Sequence, residues 1–158
     1  MSQVFKAIVI DDEPAARRIM KSLLSAYADT VSVIEEAGNG REAIEKIEAL
    51  KPDLIFLDIQ MPDLTGFEVI ERLTHKPNII FTTAYEQYAI KAFETFSIDY
   101  LLKPVREERL AQSIQKLKSF GRISNTIDVS GLQEIIRQFQ APQKATALPI
   151  KTGDRIIL

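Results

Sequence analysis

The sequence predicts an α/β domain whose parallel sheet is covered by helices on both sides, on two observations. Five short apolar runs, Val4–Ile10, Val31–Glu36, Leu54–Leu57, Asn78–Thr82 and Ile98–Leu102, alternate with five segments of helical spacing. The first, third and fourth runs are apolar nearly throughout, as strands buried on both faces are.

The helices follow in order. Ile19, Leu23 and Tyr27, flanked by Met20 and Leu24, form one apolar face, and Pro14 suits the first turn of that helix. Ile44, Ile47 and Leu50 mark a second helix, and Phe67, Ile70 and Leu73 a third. Ala89, Ala92, Phe93 and Phe96 mark the fourth, and Leu110, Ile114 and Leu117 the fifth. Phe67, Phe81, Phe93 and Phe96 read as core or interface packing. Five strands alternating with five helices suit the flavodoxin-like, doubly wound order 2-1-3-4-5.

Past Lys118 the pattern changes. Residues 122–147 read as a linker containing an amphipathic helix over about 130–140, with a capping box at Ser130–Gln133 and apolar Leu132, Ile135, Ile136 and Phe139. Residues 148–158 read as two short strands around Thr152-Gly153-Asp154, and the apolar end suggests a chain cut just inside a second domain.

Composition narrows the function. A chain of 158 residues with 46% hydrophobic and 27% charged residues has a globular balance. A net charge of -2 and a pI near 5.5 give no basic footprint for nucleic acid, so this stretch is not what would grip DNA. There is no cysteine, which excludes disulfides and thiol chemistry and suits a reducing compartment. With no apolar run of membrane-spanning length and no signal peptide, a cytoplasmic protein that makes no membrane contact is expected.

The chemistry lies at strand ends. Asp11 and Asp12 follow the first strand and Asp58 the third, and in the expected order these strands are neighbours. Three crowded carboxylates raise one another's pKa unless a cation neutralises them, and Mg²⁺ with its preference for oxygen is the obvious solution. Asp58 could then act as a nucleophile toward a phosphoryl group. Thr83 closes the fourth strand with a hydroxyl suited to a phosphoryl oxygen, and Lys103 closes the fifth with a point charge. Lys103 precedes Pro104, where a cis bond is easier than elsewhere. Each of these residues also has a bland reading: Asp12 or Glu13 as a helix cap, Thr83 as β-propensity, Lys103 as a solvated charge. Their conjunction, with no surplus polar group read inside the strands, favours a site. His75, the only histidine, reads as a solvated helix end.

The motifs IVIDDEP (Ile8–Pro14), LIFLDIQMPDLTGFE (Leu54–Glu68), FTTAYEQYA (Phe81–Ala89) and DYLLKP (Asp99–Pro104) closely resemble the receiver domains of two-component response regulators over residues 1–121. The resemblance implies that Asp58 accepts phosphate from a sensor histidine kinase. It implies that Asp12 and Asp58 bind Mg²⁺ directly, with Asp11 acting through water and the Gln60 carbonyl as a further ligand. It also implies phosphoryl contacts from Thr83 and Lys103, and a switch in which Tyr100 rotates into space left by Thr83.

TAYEQYAIKAFE is similar to receivers of the LytTR class, and LPIKTGDRIIL to the start of a LytTR DNA-binding domain. A transcription regulator is therefore expected, with its DNA contact in a C-terminal domain missing here. The face of the fourth helix, fifth strand and fifth helix, with Tyr85, Tyr88, Lys91, Glu94, Arg106, Glu107 and Arg109, is expected to form a homodimer on phosphorylation, against the alternative of a plain solvated surface. Two rival functions compete: a phosphohydrolase that also uses an aspartyl phosphate, and an interaction module that keeps the fold but has lost the switch. A phosphohydrolase would want a second Asp where Gln60 stands, and a switch-less interaction module would not need the five site residues intact.

Overall fold

The computed structural model describes residues 3–95 and 97–123. The expected linker helix and the segment 148–158 lie outside the described residues, as do Phe96 and the side chain of Phe93. Within them the chain runs β1 (Phe5–Ile10), α1 (Pro14–Leu24), β2 (Val31–Ala37), α2 (Gly40–Leu50), β3 (Leu54–Asp58), α3 (Gly66–Glu71), β4 (Asn78–Thr83), α4 (Ala89–Glu94), β5 (Asp99–Leu102) and α5 (Glu107–Phe120). All neighbouring strands pair in parallel, in the order β2-β1-β3-β4-β5. This is the flavodoxin-like fold the apolar runs predict.

Alternate residues of each strand feed opposite faces, because strand side chains have a period of two. Ile8, Ile10, Ile55, Leu57 and Phe81 pack with Ala43 and Ile47 of α2, Phe67 and Val69 of α3, and Ala92 of α4. Ala7, Val9, Leu54, Phe56 and Ile80 pack with Met20 and Leu24 of α1 and Leu110, Ile114 and Leu117 of α5. Every β3 residue is buried, which explains its unbroken apolar run. No helix among the described residues is long and apolar enough to cross a membrane.

Several expectations need correction. Ile19 is 57% exposed and Leu50 46% exposed; the buried positions are Met20 and Leu24 in α1 and Ala43 and Ile47 in α2, with Leu23, Tyr27 and Ile44 packed beside them, partly buried. Glu13 takes the N-cap position before Pro14 but makes no side-chain cap; its N–H donates instead to Asp11 Oδ1 at 3.0 Å. His75 lies beyond α3 rather than at its end. Its Nε2 is 2.6 Å from the Pro52 carbonyl oxygen, and its N–H donates to Glu48. Asp99 opens β5 and is buried, contrary to strands free of surplus polar groups.

Candidate functional site

β1 and β3 pair up to Ile10 beside Leu57, so the next residues on each, Asp11 and Asp58, emerge side by side at the carboxyl edge. Carboxylate oxygens of Asp11, Asp12 and Asp58 all lie within 4.8 Å of one another. Both Asp11 and Asp58 are buried. Burial, reinforced by the Asp11 charge, pushes the Asp58 carboxyl up to about 7, against the opposing pull of Lys103 and of the Gln60 N–H. A negatively crowded set of oxygen donors, two of the three buried, is the environment a hard divalent cation fits. The cleft in front of it, about 390 Å³, is lined by Asp12, Glu13, Asp58, Gln60, Met61, Pro62, Ala84, Tyr85 and Lys103.

Lys103 follows β5, and its N–H continues the sheet pairing to the Thr83 carbonyl at 2.8 Å. Its Nζ lies 2.7 Å from Asp11 Oδ2 and 3.6 Å from Asp58 Oδ2. Burial works against the charged ammonium, but Asp11 and Asp58 outweigh it and raise the pKa of Lys103. The Lys103–Pro104 peptide is cis.

The loop after Asp58 is clamped from both ends. Asp63 accepts from the Gly40 and Arg41 N–H groups at 2.9 Å each, using the free amides at the start of α2. Thr65 and Glu68 form a capping box at α3, and the Gly66 N–H donates to the Ile59 carbonyl. A Cβ on Gly66 would stand 2.6 Å from the Asp58 carbonyl oxygen, so only glycine permits this approach. The capping box was readable as T-x-x-E; the Asp63 clamp spans more than twenty residues and left no local signal.

Thr83 is fully buried, and its Oγ1 accepts from the Tyr85 N–H at 3.2 Å. Tyr85 also receives, at its main-chain carbonyl, the hydroxyl of Tyr100. Tyr100 is half-buried and packed against the core. Gln60 is exposed, and its Nε2 donates to Tyr88 Oη at 2.6 Å.

Behind this edge lies a network that sequence reasoning missed. Asp99 receives both Arg109 Nη atoms at 2.8 and 2.9 Å, Ser113 Oγ at 2.5 Å and Lys116 Nζ at 3.2 Å. Arg109, expected on the α4–β5–α5 face, therefore pairs within its own domain. The signal was present, since residues 109, 113 and 116 share one helical face. The same region exposes Ile90 (75%), Leu102 (44%) and Tyr85 (44%), of which only Tyr85 was expected.

Fold and cleft together define a receiver-type α/β domain, with an acidic triad and a lysine at the carboxyl edge of the sheet. Comparison with known proteins gives the family: residues 7–115 match the response regulator receiver domain, and the chain belongs to that family. It is 38% identical over 167 residues to an uncharacterized response regulatory protein of Vibrio cholerae, covering 100% of this chain and 64% of that protein. It is 44% identical over 117 residues to the transcriptional regulatory protein BtsR of Salmonella typhi, covering 73% of this chain and 48% of BtsR. The chain thus spans roughly half to two thirds of the length of these relatives. Among solved structures, the response regulatory domain of mrkE from Klebsiella pneumoniae superposes with a TM-score of 0.65 at 33% identity, covering 72% of this chain and 95% of that one.

Proposed function

We propose that this receiver takes a phosphoryl group on Asp58 from a sensor histidine kinase and uses it to control a transcriptional output. The observation that carries the reading is the convergence of Asp11, Asp12 and Asp58 with Lys103 in one cleft. Asp12 and Asp58 would hold Mg²⁺ directly, with Asp11 through water and the Gln60 carbonyl as a third protein ligand. Bound there, the cation would offset the charge of the carboxylates and of the phosphoryl group in transfer.

The chain's own groups account for the rest. An Asp58 carboxylate oxygen attacks phosphorus; the bond to the donor breaks, and the departing group keeps the electron pair. Lys103, shared between Asp11 and Asp58, can turn to the new phosphoryl oxygens as a compact charge. The Thr83 hydroxyl accepts from Tyr85 and keeps its own proton free to donate to the phosphoryl group. Movement of Thr83 would then pull on Tyr85, and through the Tyr85 carbonyl on Tyr100.

The output reading follows from the same chain of contacts. Exposed Ile90, Leu102 and Tyr85 make the α4–β5–α5 face suited to a homodimer once phosphorylated. A LytTR-type DNA-binding domain beyond residue 147, joined through the 122–147 linker, would carry the contact with DNA, in a cytoplasmic protein. The transcriptional regulator names among the relatives support this. Incubation with a small phosphodonor and Mg²⁺, followed by intact mass, tests the reading. One stable phosphoryl adduct supports the receiver; steady turnover without adduct favours a hydrolase, and neither favours a switch-less module.

A further inference from the structure

One side chain of α1 reaches the acidic cleft from behind and has no part in the chemistry above. Arg17 is only 18% exposed along its side chain. Its Nη1 donates to the main-chain carbonyl of Asp11 at 2.5 Å, and its Nε to Glu36 Oε1 at 2.7 Å. Lys21 Nζ holds the other Glu36 oxygen at 2.5 Å, and a Cβ on Gly38 would come within 3.3 Å of the Arg17 Nη1. The guanidinium therefore ties α1 and the end of β2 to the loop after β1.

The atom it holds matters. The Asp11 carbonyl belongs to the planar peptide that joins Asp11 to Asp12, so fixing that oxygen fixes the plane from which both side chains spring. We infer that Arg17 is a positioning residue for divalent-cation binding at the Asp11–Asp12–Asp58 cleft, acting through the Asp11–Asp12 peptide. The inference rests on the cleft being a cation site.

Charge and geometry give opposite signs here, which makes the role testable. As a charge alone, Arg17 repels a second cation, and removing it would tighten Mg²⁺ binding. As an anchor, it holds together carboxylates that repel one another, and removing it lets them spread and weakens binding. Groups that orient ligands from behind typically contribute about ten-fold or more to metal affinity.

Calorimetric titration of the full chain with Mg²⁺, beside Arg17→Met and Arg17→Lys and with thermal unfolding measured in parallel, reads the sign directly. About ten-fold weaker binding is expected for Arg17→Met. A smaller loss is expected for Arg17→Lys, which keeps the charge but not the two-pronged donor. Unchanged or tighter binding in Arg17→Met overturns the inference; a purely structural role would lower the unfolding temperature without moving the isotherm. Should Arg17→Met fail to fold, Arg17→Lys decides by the same criterion. A wild-type chain with no Mg²⁺ uptake overturns the cation-site reading itself.

Discussion

The hydroxyl of Tyr100 donates to the main-chain carbonyl of Tyr85, while the N–H of that same Tyr85 donates to Thr83 Oγ1. One residue of the β4–α4 loop is thus held from the acceptor side by Thr83 and from the β5 side by Tyr100. Two hydrogen bonds and one residue thus connect Thr83 to Tyr100.

Tyr100→Phe should therefore separate modification from its consequence. The ring keeps its packing and only the hydroxyl is lost. Phosphoryl uptake at Asp58 should stay within about five-fold of wild type, since one hydrogen bond contributes only about 1 kcal/mol. If phosphorylation drives the proposed homodimer, the mass increase expected in sedimentation on adding the phosphoryl mimic beryllofluoride should shrink. An undiminished increase would show that the relay does not run through this hydroxyl.

Lys103 is the resident cation of the cleft, and its removal should alter the response to Mg²⁺. In Lys103→Met the three carboxylates lose their protein counter-charge, so the metal-free chain should unfold at lower temperature. Breaking a buried ion pair costs about 3–5 kcal/mol when the survivor stays buried, less here because Lys103 is partly exposed. Added Mg²⁺ should raise the unfolding temperature of the variant more than that of wild type. Equal increments would argue against a shared site.

Asp99 sets an acid limit on stability. Burial alone would raise its pKa, but the donors from Arg109, Ser113 and the Tyr100 N–H outweigh burial and hold the carboxyl well below the usual carboxylate range. A depressed folded pKa stabilises the fold above the unfolded value near about 3.9, and that contribution is lost as pH falls below it. Arg109→Met should cost about 1–3 kcal/mol at neutral pH and move the acid-unfolding midpoint, followed by circular dichroism, to higher pH. An unmoved midpoint would count against this account of the network.

Two close-packed glycines near the site, Gly66 and Gly40, should differ in their tolerance of a methyl group. At Gly66 an added Cβ meets the Asp58 carbonyl at 2.6 Å, whereas at Gly40 it meets the Leu64 side chain at 2.7 Å. Backbone cannot retreat as a leucine can. Gly66→Ala should cost about 1–3 kcal/mol and impair Asp58 modification; Gly40→Ala should cost less and spare it. Chemical denaturation together with phosphoryl uptake measures both.

The sheet was legible because strands buried on two faces must be apolar, so β1, β3 and β4 stood out as runs and their order followed from the crossovers. The acceptor edge was legible for the same reason, since Asp11, Asp12 and Asp58 interrupt those runs where the strands end. Helix faces were less so. Ile19 and Leu50 satisfy the spacing but point outward, because small residues such as Ala43 can occupy the inward line and carry little hydrophobic signal. Asp99 was overlooked because its partners lie 10, 14 and 17 residues away on α5. Arg17 acts on a backbone oxygen, and no side-chain pattern announces such a contact.

The most direct measurement is phosphoryl uptake by the full chain and by Asp58→Asn, each from a small phosphodonor with Mg²⁺ and with chelator. Uptake by the wild type that requires Mg²⁺, and disappears in the variant, is the predicted result. Labelling that survives in Asp58→Asn at the wild-type level, or proceeds equally well in chelator, would contradict it.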